Sequence, residues 1–325
     1  RGPKKTIHRL RVMQRGGPPF WWFAQIDTPR AGAHRFALVD RKDGKILACG
    51  RHWVRPDRKL ADLPQPQTGY WPVKRRWEWR TESLYAVWVE KLFDAPARTQ
   101  PSWTPLHQVI RDPARNILYN HLGTGEDGPD LRKAVVVKPD CADLPYFLRA
   151  YFAWKMRLPF GYRHCDRGNS RRAARCNELR TNLNLSPPAG NKLQRPATRF
   201  SFFLRRNVSY VHSGAGRTAP DDDETDLYPV ALKRSSLKPG TVYVDPYGHL
   251  LIVARWVPQT KTRGGLLYAV DGHPDLSVGR KRFWKGAFLF SDKIKSGAGG
   301  FKAFRPLQRK EGQIVALTND EINKH

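Results

Sequence analysis

Lys138-Pro-Asp-Cys-Ala-Asp-Leu-Pro-Tyr-Phe-Leu-Arg-Ala-Tyr-Phe-Ala-Trp154 sets one thiol at the mouth of an apolar helix. Leu144, Phe147, Leu148, Tyr151 and Phe152 recur at helical spacing and cover most of its surface, which predicts a largely buried helix. Pro145 is tolerated only in a first turn, so the helix starts at Cys141 or just past it, with Asp140 or Asp143 as the cap. In either register the amide dipoles at the helix start favour a thiolate at Cys141. Asp140 and Asp143 oppose it by like charge.

Upstream, Ala134-Val-Val-Val137 reads as a short extended segment that delivers the chain to Cys141. Gly123-Thr-Gly-Glu-Asp-Gly128 is too flexible and acidic for a phosphate cradle and reads as a loop. Asp112-Pro113 has the order of a cap and first-turn proline, predicting a helix that Gly123 closes after Leu122. Thr81 reads as the cap of a helix running to about Phe93, with Leu84, Val87, Trp88 and Leu92 on its inner face. Asp94 to Pro101 reads as a linker.

Before that linker, residues 20–100 read as a Trp-rich, β-containing module. Phe20 to Ile26 has strand character, and Arg35 to Val39 and Lys45 to Cys49 flank the turn residues Asp40-Arg-Lys-Asp-Gly44, predicting a β-hairpin over 35–49. Seven of the eleven tryptophans fall at positions 21, 22, 53, 71, 77, 79 and 88, and most are expected to be core. In Trp71-Pro-Val-Lys-Arg-Arg-Trp-Glu-Trp-Arg80 the rings alternate with bases, a pattern that also suits stacking on sugars or bases. Residues 1–19, basic and rich in Gly and Pro, read as an arm laid over the surface or a partner.

Downstream of the helix, residues 163–235 read as an insertion in a domain spanning 101–308, and 309–325 as a polar tail. Cys165 and Cys176, eleven apart in an Arg-rich loop, could close as a local disulfide in an oxidising compartment; their spacing suits zinc less well. The acidic run Pro220 to Asp226 lacks the glycine and terminal glutamate of a calcium loop and reads as a solvated loop; no metal or other cofactor is expected. Leu237-Lys-Pro-Gly240 feeds three strands, Thr241 to Val244, His249 to Trp256 and Leu266 to Val270; Phe283 to Phe290 reads as a further strand, and Gly297 to Pro306 as a closing segment. If the second and third strands pair around a hairpin centred near residue 260, Asp271 lies opposite His249, within reach of its imidazole, and His273 is the substitute. A cysteine hydrolase needs such a set: a thiolate, an imidazole that takes and returns its proton, and a group that orients the imidazole.

With 325 residues and 40% hydrophobic content the chain can bury a full core. Its 58 basic residues against 29 acidic, net +29, imply a polyanionic neighbour: nucleic acid, an acidic membrane surface or an anionic wall polymer. No apolar run approaches the roughly 20 residues that span a bilayer. The chain opens on Arg1-Gly-Pro-Lys-Lys, without Met and without an apolar signal core, so a processed or truncated start is expected.

Asp140-Cys141-Ala142 with Leu144 resembles the Asp-Cys-Ser-Gly-Leu signature that opens the catalytic helix of NlpC-type cell-wall cysteine peptidases, in the papain-like superfamily. Leu237-Lys-Pro-Gly240 followed by His249-Leu-Leu-Ile-Val253 is similar to their Leu-x-Pro-Gly-Asp turn and His-Val-Gly-Ile strand, and the order of the parts is the same. Ala142 and Asp143 stand where that signature has Ser and Gly, and Thr241 where the turn has Asp. The resemblance covers roughly residues 105–305. It implies a papain-like α+β domain in which a cysteine-bearing helix packs on an antiparallel sheet. Cys141 would be nucleophile, His249 general base and acid, Asp271 or His273 the orienting member, and the backbone amides of Cys141 and Ala142 the oxyanion donors. It further implies cleavage of amide bonds in peptidoglycan stem peptides, a periplasmic or extracellular bacterial setting, and a basic surface held to the cell envelope. The competing expectation, from the +29 charge, the basic first nineteen residues and the interleaving of Trp with Lys and Arg, is a basic nucleic-acid or ribonucleoprotein binding protein that keeps the scaffold without the activity.

Overall fold

A computed structural model describes residues 30–54, 69–130, 132–189, 193–246, 248–283 and 299–324. The basic arm, the strand expected at Phe20 to Ile26, residues 284–290 of the expected later strand and residues 297–298 of the closing segment lie outside the described residues.

The elements, in order, are β1 (Gly32–Val39), β2 (Ile46–Val54), α1 (Trp79–Leu92), β3 (Ser102–Trp103), α2 (Leu106–Ile110), α3 (Asp143–Met156), β4 (Gly161–Tyr162), β5 (Arg180–Thr181), α4 (Pro196–Arg206), β6 (Leu227–Pro229), β7 (Val242–Val244), β8 (Leu250–Val257), β9 (Leu266–Gly272), β10 (Val278–Phe283), β11 (Gly300–Phe304), β12 (Leu307–Lys310), β13 (Gln313–Ala316) and α5 (Asn319–Asn323). The architecture is α+β. Its centre is a seven-stranded sheet in the order β3-β10-β9-β8-β7-β11-β6, with every neighbouring pair antiparallel.

Alternation along β8 assigns each face of this sheet. Leu250, Ile252 and Ala254 join Val242, Val244 and Val270 in the main core with α1, α3 and α4. Leu251 and Val253 join Tyr243, Leu267, Ala269, Phe283 and Phe301 in a smaller cluster on the other face. All fourteen residues of α3 are buried, in keeping with its apolar circumference. Pro145 sits in the first turn, where its missing N–H costs nothing.

Several expected boundaries do not hold. The Trp-rich stretch does not form a core of its own, because Trp71, Trp77 and Trp88 belong to the cluster that contains α3. The indole N–H groups of Trp71 and Trp77 donate to the carbonyls of Leu158 and Pro159 at 3.0 and 2.8 Å, and Trp88 stacks on Tyr151. The helix expected after Asp112 is a succession of turns. Asn116, buried in this stretch, accepts from the Trp88 indole and donates to the Ile110 carbonyl and the Tyr151 hydroxyl. The 163–235 segment contributes α4 to the core, where Phe200 stacks on Trp154 with ring centroids 4.4 Å apart. The expected polar tail carries regular structure over its described residues, 309–324: β12 pairs with β13, and Thr318 and Glu321 form a capping box for α5. The hairpin of β1 and β2 forms around the Asp40–Gly44 turn.

Candidate active site

Of the two carboxylates offered as the cap of α3, Asp140 does the capping. Its Oδ1 accepts from the amides of Ala142 and Asp143 at 2.8 and 3.0 Å, and its carbonyl accepts from Leu144 N at 3.1 Å. Asp143 turns inward instead. It is 6% exposed, its Oδ1 has no hydrogen-bond partner among the described residues, and burial, reinforced by Asp140, pushes its carboxyl up to about 8.

The first turn of α3 rests on the end of β9. A Cβ at Gly272 would stand 2.5 Å from the Asp140 carbonyl oxygen and 3.3 Å from Cys141 N, so only glycine lets the two backbones meet. Cys141, a free and half-buried cysteine, thereby has its backbone against the end of β9. The thiol is held above its ordinary pKa by burial first, then by Asp140 and Asp271; the amides of Ala142 and Cys141 oppose the shift without reversing it. Sequence position favours a thiolate through the helix dipole, but desolvation and two carboxylates outweigh it.

Asp271 is 2% exposed. Its Oδ2 lies 2.5 Å from Lys281 Nζ and 3.9 Å from His273 Nε2, while its Oδ1 is buried without a partner among the described residues. Lys281 was not a sequence candidate. Its signal was available only through pairing: on β10, Gly279 opposes Asp271 and Lys281 opposes Ala269, so Lys281 and Asp271 share a face.

His249 directly precedes β8. Its carbonyl accepts from Asp245 N at 2.8 Å, while its exposed imidazole makes no hydrogen bond or ion pair among the described residues. The β8–β9 register pairs Leu251 with Asp271, not His249 with Asp271. Extended two residues, the same ladder sets His249 against His273 and leaves Asp271 on the diagonal. Beside the turn Val257 already pairs with Leu266, three residues out of the expected register, and the irregularity between Val253 and Arg255 takes one of those back. Because the offset of the pairing is even, His249, Asp271 and His273 stay in phase with Leu251, on the face opposite α3.

Cys141, Asp271 and His249 therefore gather at one end of the sheet. The Asp140–Cys141 backbone approaches across Gly272 from one face, and the carboxylate and imidazole positions belong to the other. No histidine hydrogen-bonds to the thiol among the described residues. Of the two amides expected to stabilise an oxyanion, that of Ala142 already donates to Asp140, which leaves the amide of Cys141.

The acidic run at 220–226 is engaged by protein groups. Asp222 Oδ1 accepts from Glu224 N, Asp223 pairs with Arg305 and with Asn319 N, and buried Asp226 accepts from the Tyr146 hydroxyl and Arg163 N at 3.0 and 2.9 Å. Among the described residues no group of three or more His, Cys, Asp or Glu side chains is arranged to hold a metal ion, and no helix is long and apolar enough to cross a membrane.

These features define an α+β protein with a cysteine in the turn that opens a buried helix, against the end of an antiparallel sheet. Compared with protein-family models, curated proteins and solved structures, the chain matches none of them.

Proposed function

We propose that the chain is a papain-like cysteine hydrolase of the NlpC type that cleaves amide bonds in peptidoglycan stem peptides. The observation that supports the reading is the seating of the Cys141 turn on Gly272, the residue that follows Asp271 at the end of β9. In the reaction His249 swings toward the thiol, takes its proton and leaves a thiolate. The sulfur attacks the amide carbonyl carbon, and the amide of Cys141 faces the oxygen that becomes negative. The amine departs with the proton from His249, and water then hydrolyses the acyl-enzyme with the same imidazole as base. Asp271, through its unpartnered Oδ1, or His273 orients the second ring nitrogen.

The net charge of +29 supports residence on an anionic envelope, and the Cys165–Cys176 disulfide is compatible with an oxidising compartment. Incubation with purified sacculi tests the reading. Wild-type protein is expected to release soluble peptides and Cys141→Ala to release none; undiminished release by Cys141→Ala would overturn it.

One observation favours a second reading. The unmade contact between thiol and imidazole, with the thiol pushed above its usual pKa, suits a basic nucleic-acid or ribonucleoprotein binding protein built on the same scaffold. Retention of RNA or DNA at about 150 mM salt, with no peptide release by wild type, would select it.

A further inference from the structure

The β1–β2 hairpin breaks a rule of strand pairing. Arg35 stands directly across from Arg51, and His34 directly across from His52. Like charges in directly opposed positions destabilise a hairpin, and a two-stranded ribbon has little stability to lose. Neither arginine has an acidic partner among the described residues. The hairpin's two carboxylates, Asp40 and Asp43, accept instead from the turn amides of Lys42 and Lys45 at 2.8 and 2.9 Å. Six Lys and Arg side chains against those two Asp give residues 30–54 a charge of +4. Local violations of this kind mark positions kept for a ligand.

The register says what that ligand looks like. Ala33 pairs with Trp53 and Arg35 with Arg51, so both guanidinium groups and the Trp53 ring share one face of the ribbon. Arg35 and Arg51 are exposed, and Trp53 is 56% exposed. Opposed side chains in such a ladder start about 5 Å apart at Cβ, so the two guanidinium forks can each hold one of two consecutive phosphates. The ring beside them offers a stacking surface, which requires a base that is not already paired and stacked in a duplex. We propose that the β1–β2 hairpin is a binding ribbon for single-stranded nucleic acid, with Arg35 and Arg51 clamping the phosphates and Trp53 stacking a base.

This inference is independent of Cys141, and it is tested by binding alone, whether or not the thiol reacts. The affinity of the full chain for a labelled oligothymidylate is measured over a salt series. Each phosphate contact to a single strand contributes about 0.7 to the slope of log K against log salt, so Arg35→Gln/Arg51→Gln is expected to lower the slope by about 1.4. The charge-matched control Arg309→Gln/Lys324→Gln, both exposed and remote in sequence, is expected to leave it unchanged. Trp53→Ala is expected to weaken binding at least about fivefold. Arg51→Glu keeps the fold readable: it gives Arg35 an opposite charge across the ladder, so the melting temperature holds or rises while binding falls. An unchanged slope in the double variant, an equal loss in the control pair, or affinity for heparin or duplex DNA equal to that for the single strand would overturn the proposal.

Discussion

At the scale of single residues, the first turn of α3 sets two aspartates to different tasks. Asp140 stays where its oxygen caps two amides and its charge opposes a thiolate. Asn caps as well as Asp, whereas Ala does not. Asp140→Asn is thus expected to leave the melting temperature nearly unchanged and to move Cys141 alkylation to lower pH, while Asp140→Ala costs about 1 kcal/mol in urea unfolding. Asp143 is the converse case, a buried carboxyl raised to about 8. Its unfolded counterpart ionises near about pH 4. Between those values the unfolded chain has released a proton that the folded chain still holds, so this group subtracts from stability progressively as pH rises from about 4 to about 8. Asp143→Asn is expected to match wild type below about pH 4 and to exceed it at pH 8 by an amount on the order of a few kcal/mol, read from denaturation curves at the two pH values. The identity of the cap was left open between Asp140 and Asp143 in the sequence, because either spacing satisfies a helix start. The amides of Ala142 and Asp143, both donating to Asp140 Oδ1, decide it.

At the scale of elements, α3 was legible because its apolar residues cover the whole circumference, and β7, β8 and β9 were legible from their apolar runs and the turn chemistry between them. Register was less legible. The β8–β9 turn is centred between residues 261 and 262 and not at 260, and the irregularity between Val253 and Arg255 takes back one residue of the resulting offset; alternation in sequence reveals neither. The stretch from 112 to 122 misled for another reason: Asp112 Oδ1 accepts from Ala114 N at 2.9 Å in a single turn, and the residues beyond it serve a buried network around α3 that Asn116 joins. Lys155, fully buried, is held by Glu126 at 2.5 Å and by Asp127, and the Tyr151 hydroxyl donates to Asp127 at 2.7 Å. Lys155→Met would leave two carboxylates facing each other in the core and is expected to cost about 3–5 kcal/mol by urea denaturation. Methionine restores the volume, so a loss below about 1 kcal/mol would mean that the network carries little of the stability of α3.

At the scale of the whole molecule, the α+β class could be read from the sequence and the seven-strand order could not, since β3, β6 and β10 join the sheet through short or polar segments with weak periodicity. The boundary expected near residue 100 rested on a composition shift, yet the tryptophans before it pack on α3, and Arg149 of that helix lies 3.2 Å from the Trp77 ring centroid with both guanidinium nitrogens on Glu82. The disulfide at 165–176 staples the excursion that precedes α4. Closing a loop of that length is worth about 2–3 kcal/mol, so Cys165→Ser/Cys176→Ser is expected to melt several degrees below wild type. The central claim is that His249 acts on Cys141, and the pH profile of thiol alkylation, measured in a Cys49→Ser background so that one free thiol remains, tests it most directly. With the imidazole working, the reactive form in the otherwise wild-type protein is expected to persist well below about pH 8.5. In His249→Ala it is expected only above the ordinary thiol range, where burial, Asp140 and Asp271 hold an unpaired Cys141. Coincident profiles for the two proteins would contradict the account.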